Sequence, residues 1–289
     1  MNEATSGPAQ ADPVTAARDY YNSNDADTFY ASIWGGEDIH VGLYESADDS
    51  IATASRRTVQ RLADLLEGLT PSSRLLDLGS GYGGAARHLV RRFSCSVVAL
   101  NLSETENTRA RRLNREQGVA ASIDVVDGAF ESLPFADASF DAVWSQDAIL
   151  HSSDRQRVLH EAARVLKTGG QMVFTDPMQA DDCPPGVLDP ILARIHLRDL
   201  GSLAFYRTAA ARAGLTLVRY RSLTPHLVTH YTRVHQALQQ RRDVLTSSVS
   251  AAFLTRMEAG LRHWVEGGER GHLAWGMFLL RKPGCAAID

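Results

Sequence analysis

Residues 75–84 read Leu-Leu-Asp-Leu-Gly-Ser-Gly-Tyr-Gly-Gly, and this stretch decides the fold. An apolar run ends at Asp77, turns through Gly79 and Gly81, and enters a helix near Gly83. Glycine removes Cβ from a tight turn, so a ligand can lie against bare backbone at the start of the next helix. Gly79, Gly81 and Gly84 satisfy G-x-G-x-x-G, a pattern that is weak on its own. The acid directly before the loop is a poor neighbour for a pyrophosphate. It suits a cationic amino-acid end, and so favours S-adenosylmethionine over a nicotinamide dinucleotide. A nicotinamide site also needs an acid about 20 residues further on; Asn101 stands there.

Outward from the loop, strands are predicted over 75–78, 96–101, 123–126, 140–144 and 171–175. Helices over about 83–93, 103–117 and 155–166 alternate with them, and Ser103 with Glu106 reads as a capping box. The alternation implies an α/β fold: a Rossmann-like parallel sheet, right-handed crossovers, helices on both faces. Before it, a helix over 17–30 carries Tyr20, Tyr21, Phe29 and Tyr30, a loop covers 34–44, and a helix covers 51–69. After it, 183–213 and 225–267 read as mostly helical, with strands at 215–222 and 272–282 to complete the sheet. Those helices are too many for a plain sheet, so part of them is expected to cap the substrate. Four segments follow: 1–13 disordered, 14–70 a helical lid, 71–180 the cofactor-binding core, and 181–289 cap helices and closing strands.

The chain has 289 residues, a formal charge of −4 and no lysine-arginine run, which argues against nucleic acid or an anionic membrane as partner. No apolar stretch approaches the roughly 20 residues that span a bilayer. Cys95, Cys183 and Cys285 show neither metal spacing nor a disulfide framework, and fit a reducing cytoplasm. No metal is expected, and the chain is read as a monomer or homodimer with a small-molecule amine substrate.

Five motifs, Asp77-Leu-Gly-Ser-Gly, Asn101-Leu-Ser, Leu133-Pro-Phe, Ser139-Phe-Asp-Ala-Val-Trp144 and Val165-Leu-Lys-Thr-Gly-Gly170, stand in the order seen in class I S-adenosylmethionine-dependent methyltransferases. Tyr20-Tyr-Asn, Trp34-Gly-Gly-Glu-Asp-Ile-His-Val-Gly-Leu-Tyr44, Trp144-Ser-Gln-Asp-Ala-Ile-Leu-His151 and His272-Leu-Ala-Trp-Gly276 resemble the sarcosine/dimethylglycine N-methyltransferases, which make the compatible solute glycine betaine. The resemblance covers roughly the whole chain after its first residues. It implies S-adenosylmethionine as methyl donor, S-adenosylhomocysteine as product, and an osmoprotective role. The unit Asp147–His151 also resembles the phosphoethanolamine methyltransferases, and implies that Tyr21 or Tyr20 latches onto His151.

The residues can be read physically beside that resemblance. Backbone at Gly79 and Gly81 meets the methionine end of the cofactor, with Asp77 taking its ammonium. Asn101 and Leu102 stand where ribose is usually met, although the usual acid is missing. Ala129 and Phe130, after Gly128, stand where adenine is clamped. Gln146, Asp147 and His151 follow the fourth strand, whose end faces the methyl group. His151, with an ordinary pKa of about 6.5, can accept the amine proton. Asp147, four residues earlier, shares a face with it if the turn is helical, and then orients it or pairs with the substrate cation. Aromatic faces suit an amine becoming quaternary; Trp34, Tyr21, Tyr44, Trp144 and Tyr206 are the candidates. A substrate carboxylate needs a guanidinium fork, from Arg198, Arg207 or Arg194. Two other readings are an N-methyltransferase for a different small amine and a non-catalytic S-adenosylmethionine-binding protein; intact Asp147 and His151 stand against the latter.

Overall fold

The structure, a computed structural model, describes residues 13–195 and 197–284. Its elements in chain order are α1 (Pro13–Asn22), α2 (Asn24–Trp34), α3 (Ile51–Ala63), β1 (Arg74–Leu78), α4 (Gly84–Phe93), β2 (Ser96–Asn101), α5 (Glu104–Glu116), β3 (Ile123–Asp127), β4 (Phe140–Gln146), α6 (Arg155–Val165), β5 (Leu166–Gln179), α7 (Asp189–Arg194), α8 (Leu203–Arg212), β6 (Thr216–Ser222), α9 (Thr224–Leu245), α10 (Ala251–Glu269) and β7 (Leu273–Arg281).

Seven strands of the described residues form one sheet in the order β3-β2-β1-β4-β5-β7-β6. The first five pair in parallel, while β7 runs antiparallel between β5 and β6. Strand order reverses between β1 and β4, which opens a crevice at their carboxyl ends. Successive residues point to opposite faces of a strand. Leu75, Val97, Trp144 and Val173 therefore enter one core layer, and Leu76, Val98, Val143 and Phe174 the other. A third apolar cluster joins α2, through Phe29, Ile33 and Trp34, to Val234 and Leu238 of α9 and Leu254 and Met257 of α10. This cluster forms the roof over the crevice.

Several boundaries differ from the sequence reading. The helix expected over 17–30 is two helices. Ser23 breaks it with extended backbone (φ −68, ψ 139), and its side chain accepts the Ala26 N–H as the cap of α2. The helix expected over 51–69 stops at Ala63, after which the chain bends so that Leu66 enters the core, and Gly68 takes φ +69. The strand expected over 171–175 runs from Leu166 to Gln179: β7 pairs with it over Gln171–Gln179, and Leu166 pairs with Phe140 of β4 across an irregularity in register. Residues 1–12 of the segment expected to be disordered, and Cys285, lie outside the described residues; Pro13 opens α1. Cys95 is buried, Cys183 is half-buried, and both are free thiols. Among the described residues no helix is long and apolar enough to cross a membrane.

Candidate active site

The glycine loop is built by its backbone. Gly79, Gly81 and Gly83 take φ values of +74, +51 and +75, and the Gly79 and Ser80 N–H groups both donate to the Leu100 carbonyl of β2, at 2.8 and 3.2 Å. A Cβ at Gly79 would collide with that of Ala148. The loop forms one wall of a cavity. Asn101, Leu102, Ala129, Phe130 and Gln146 line it together with Gly79 and Gly81. Asp77 lies beneath the loop, where burial and then the nearby Asp38 push its carboxyl up to about 8. Its Oδ2 and both amide atoms of Gln146 are buried without a hydrogen-bond partner. Unfilled acceptors and donors around a cradle that admits no side chain fit the polar methionine end of S-adenosylmethionine.

A second cavity lies under the roof. Six aromatic residues line it: Tyr20 and Tyr21 from α1, Tyr30 and Trp34 from α2, Tyr231 from α9 and Trp264 from α10. Tyr231 and Trp264 stack at 4.9 Å. Arg194, at the end of α7, lines the same cavity; its Nη1 donates to Met257 Sδ at 3.2 Å, and its Nε is buried with no partner. Among the described residues no carboxylate lies within ion-pair distance of Arg194. Gly260 of α10 makes room for it, since a Cβ there would collide with the arginine's Cδ.

The two cavities share Tyr21, Ile39, Asp147 and His151 as a common wall. The Tyr21 hydroxyl lies 2.9 Å from His151 Nε2, with the rings edge to face. Burial, then Arg194 and Arg155, pushes His151 down to about 4, so the imidazole is neutral near pH 7. Burial raises Tyr21 well above its ordinary value. The hydroxyl is therefore the donor and Nε2 the acceptor.

Asp147 sits elsewhere than the sequence reading put it. Its backbone is left-handed (φ +50) and Ile149–His151 form a 3-10 turn, so positions 147 and 151 do not stack as on an α-helix. Its carboxylate accepts from Val41 N at 2.8 Å, Thr175 Oγ1 at 2.7 Å and Trp275 Nε1 at 2.8 Å. It ties the 34–44 loop to the sheet and does not bond to His151. Three expected aromatics also lie away from the cavity. Tyr206 belongs to α8, which covers the opposite sheet face, and its hydroxyl donates to Asp176 at 2.6 Å. Trp144 is fully buried in the sheet core. Tyr44 has its hydroxyl 3.1 Å from His230 Nδ1, outside the cavity lining. Arg198 and Arg207 are exposed, so of the three arginines only Arg194 reaches the cavity.

Sequence reasoning missed Tyr30, Tyr231 and Trp264 in one cavity, and His40 and Glu106 in the other. The capping-box pattern accounts for Glu106 as a helix cap. In the structure its Oε2 accepts from Asn101 Nδ2 at 2.9 Å. The glycine inside α10 was a usable signal for Arg194, since Gly in a helix interior is unfavourable unless something needs the space.

A methyltransferase domain family matches residues 76–174. The sheet order, the glycine cradle and this match define the chain as a class I S-adenosylmethionine-dependent methyltransferase. It is 55% identical to a sarcosine/dimethylglycine N-methyltransferase of Halorhodospira halochloris, over 93% of this chain and 96% of that one. It is 50% identical to one of Aphanothece halophytica, over 95% and 99% of the two chains. A solved structure of a proposed sarcosine dimethylglycine methyltransferase from Galdieria sulphuraria superposes with a TM-score of 0.87 at 45% identity, over 92% of this chain and 100% of that one. The chain belongs to the sarcosine/dimethylglycine N-methyltransferase family.

Proposed function

We propose that the chain methylates the amines of sarcosine and N,N-dimethylglycine to give glycine betaine, an osmoprotectant. The observation that carries this reading is Arg194, a guanidinium with no acidic partner among the described residues, set in an aromatic cavity beside the Tyr21–His151 pair. Arg194 receives the substrate carboxylate on its fork. Tyr20, Tyr21, Tyr30 and Trp34 present ring faces to the amine as it becomes quaternary, a cation that cannot donate hydrogen bonds. On the other side of the shared wall, Asp77 and Gln146 hold the methionine end of the cofactor, with Gly79, Gly81, Leu102, Ala129 and Phe130 enclosing the rest. When bound, S-adenosylmethionine supplies an electrophilic methyl group on a sulfonium.

The amine must attack through a free lone pair. The Tyr21 oxygen can accept the amine proton while passing its own proton to His151 Nε2. A substrate carboxylate on Arg194 offsets one of the positive charges that hold His151 down, so substrate binding itself makes the imidazole a better base. Holding the nucleophile in line across the common wall supplies much of the remaining rate.

We place this activity in the cytoplasm, in a monomer or homodimer. Residues 14–70 act as a lid, 71–180 hold the cofactor, and 181–289 supply the cap and closing strands. The test is incubation of purified protein with methyl-labelled S-adenosylmethionine and, separately, glycine, sarcosine, dimethylglycine or phosphoethanolamine, with products identified by mass. Labelled betaine from dimethylglycine is expected; transfer to phosphoethanolamine in preference to the amino acids would overturn the substrate assignment.

A further inference from the structure

We infer that Asp176, at the carboxyl end of β5, and Arg155, the first residue of α6, are positioning residues for His151, and that they act by gripping the backbone of Leu150. The inference rests on the role given above to the Tyr21–His151 pair. His151 ends a 3-10 turn of three residues, Ile149–His151. The His151 N–H donates to the Ala148 carbonyl at 3.0 Å, and the Ser152 N–H to the Ile149 carbonyl at 2.9 Å. The chain approaches this turn through the left-handed Asp147, so the turn does not continue a helix. The direction of so short a turn must be set from outside it.

Two side chains set it. The Leu150 N–H donates to Asp176 Oδ1 at 3.0 Å, and the Leu150 carbonyl accepts from Arg155 Nη2 at 3.0 Å. That carbonyl belongs to the peptide unit that carries the His151 N–H. The unit is therefore held at both ends, by Arg155 at its oxygen and by Ala148 at its nitrogen. Both grips are braced in turn. The Tyr206 hydroxyl of α8 donates to Asp176 Oδ2 at 2.6 Å. Asp199 accepts from Arg155 through its carbonyl at 2.6 Å and through Oδ1 at 2.5 Å. Asp176 is fully buried and Arg155 is 8% exposed, and neither lines the aromatic or the cofactor cavity. On β5 Asp176 is out of phase with Pro177, which lines the aromatic cavity, so it faces the layer that holds Phe174 and Met178. Burying a carboxylate and a guanidinium is costly without bonds to them, and both direct a bond at the residue next to His151.

The test is steady-state methylation of dimethylglycine by the full chain, beside calorimetric binding of S-adenosylhomocysteine as the check that each variant is folded. A displacement of about 1 Å at the reacting groups can cost about 100-fold in rate, so Asp176→Ala and Arg155→Met should each lower kcat about 10- to 100-fold. Asp176→Asn keeps an acceptor for the Leu150 N–H and should restore most of the loss. His151→Ala removes the group being positioned, so adding Asp176→Ala or Arg155→Met to it should lower kcat little further. If Asp176→Ala does not fold, Tyr206→Phe removes one brace and should show a smaller loss of kcat that also disappears beside His151→Ala. Undiminished losses in the double variants, Asp176→Asn as slow as Asp176→Ala, or a raised KM with unchanged kcat would overturn the inference. Wild-type turnover in His151→Ala would instead overturn the role of the Tyr21–His151 pair, and the grip with it.

Discussion

The Tyr21 hydroxyl and His151 Nε2 meet at 2.9 Å across 130 residues of chain. One comes from the helix that opens the described chain and the other from the 3-10 turn after β4. Both residues line both cavities, so the contact lies in the wall that the two share. His151→Ala should lower turnover by about 10²-fold or more, the usual worth of a positioned proton acceptor, and change the dissociation constant of S-adenosylhomocysteine far less. Tyr21→Phe should follow the same pattern. Equal losses in turnover and cofactor affinity would make the pair structural.

The same histidine has a pH signature. Its proton affinity is pushed down to about 4 by burial and by Arg194 and Arg155. It is therefore neutral throughout the range where the enzyme is assayed, and acquires charge only as pH falls through about 4. The pH profile of kcat/KM for dimethylglycine should rise with deprotonation of the substrate amine and show no break near 6.5. A break there that vanishes in His151→Ala would mean that the ring is solvated.

Arg194 should dominate recognition of the carboxylate. Arg194→Met should raise KM for dimethylglycine about 10- to 100-fold, as for a lost hydrogen bond to a charged group. Arg198→Ala and Arg207→Ala, both at exposed positions, should leave KM unchanged. The reverse ranking in steady-state kinetics would move the clamp away from α7.

Binding should expel protons. Asp77 stands at about 8 in the free protein because of burial and Asp38, so near pH 7 it is largely protonated. The cofactor ammonium favours the ionised form, and affinity for S-adenosylhomocysteine should rise from about pH 6 to pH 8. Without ligand the sign is opposite. A raised carboxyl stabilises the fold below its ordinary range and loses that contribution as pH rises through about 8, so thermal protection by the ligand should be largest at the alkaline end. Calorimetry in buffers of different ionisation enthalpy should detect proton release that falls in Asp77→Asn. Binding without proton release would contradict the placement of the ammonium.

Two glycines with nearly equal φ, +74 at Gly79 and +69 at Gly68, separate backbone strain from steric exclusion. Gly68→Ala meets no atom within 4 Å, and should cost about 1–2 kcal/mol for left-handed backbone alone. Gly79→Ala adds a collision with Ala148, so it should destabilise more and abolish cofactor binding. Thermal melts of the two variants make the comparison; equal melting points would show that the loop yields.

The sheet and the cofactor cavity were legible because their signals are local. A strand, a glycine turn and a helix follow one another in sequence, and all the expected cofactor residues except Asp77, which lies just below, line a single cavity. The aromatic cavity was legible only in part. Tyr21, Trp34 and His151, which the sequence reading named, line it, but Tyr231 and Trp264 stand on two long helices whose relative rotation is set by tertiary packing. Arg194, Arg198 and Arg207 are chemically identical on paper. α7 is only six residues long, and what aims Arg194 inward is the missing side chain of Gly260 on another helix. Tyr206 was misplaced for the same kind of reason: its periodicity showed a helix, but not which face of the sheet α8 would cover.

Tyr21, Ile39, Asp147 and His151 line both cavities, so a ligand in either cavity meets a wall that it shares with the other. Three hydrogen bonds already hold Asp147 and one joins Tyr21 to His151, so most of that wall is in place before either ligand arrives. Linkage makes any coupling through it mutual: the factor by which bound S-adenosylhomocysteine changes the affinity for dimethylglycine is the factor by which dimethylglycine changes the affinity for S-adenosylhomocysteine. The partition between the two cavities is thus also a surface common to both of them, and a substitution in it should be felt on both sides.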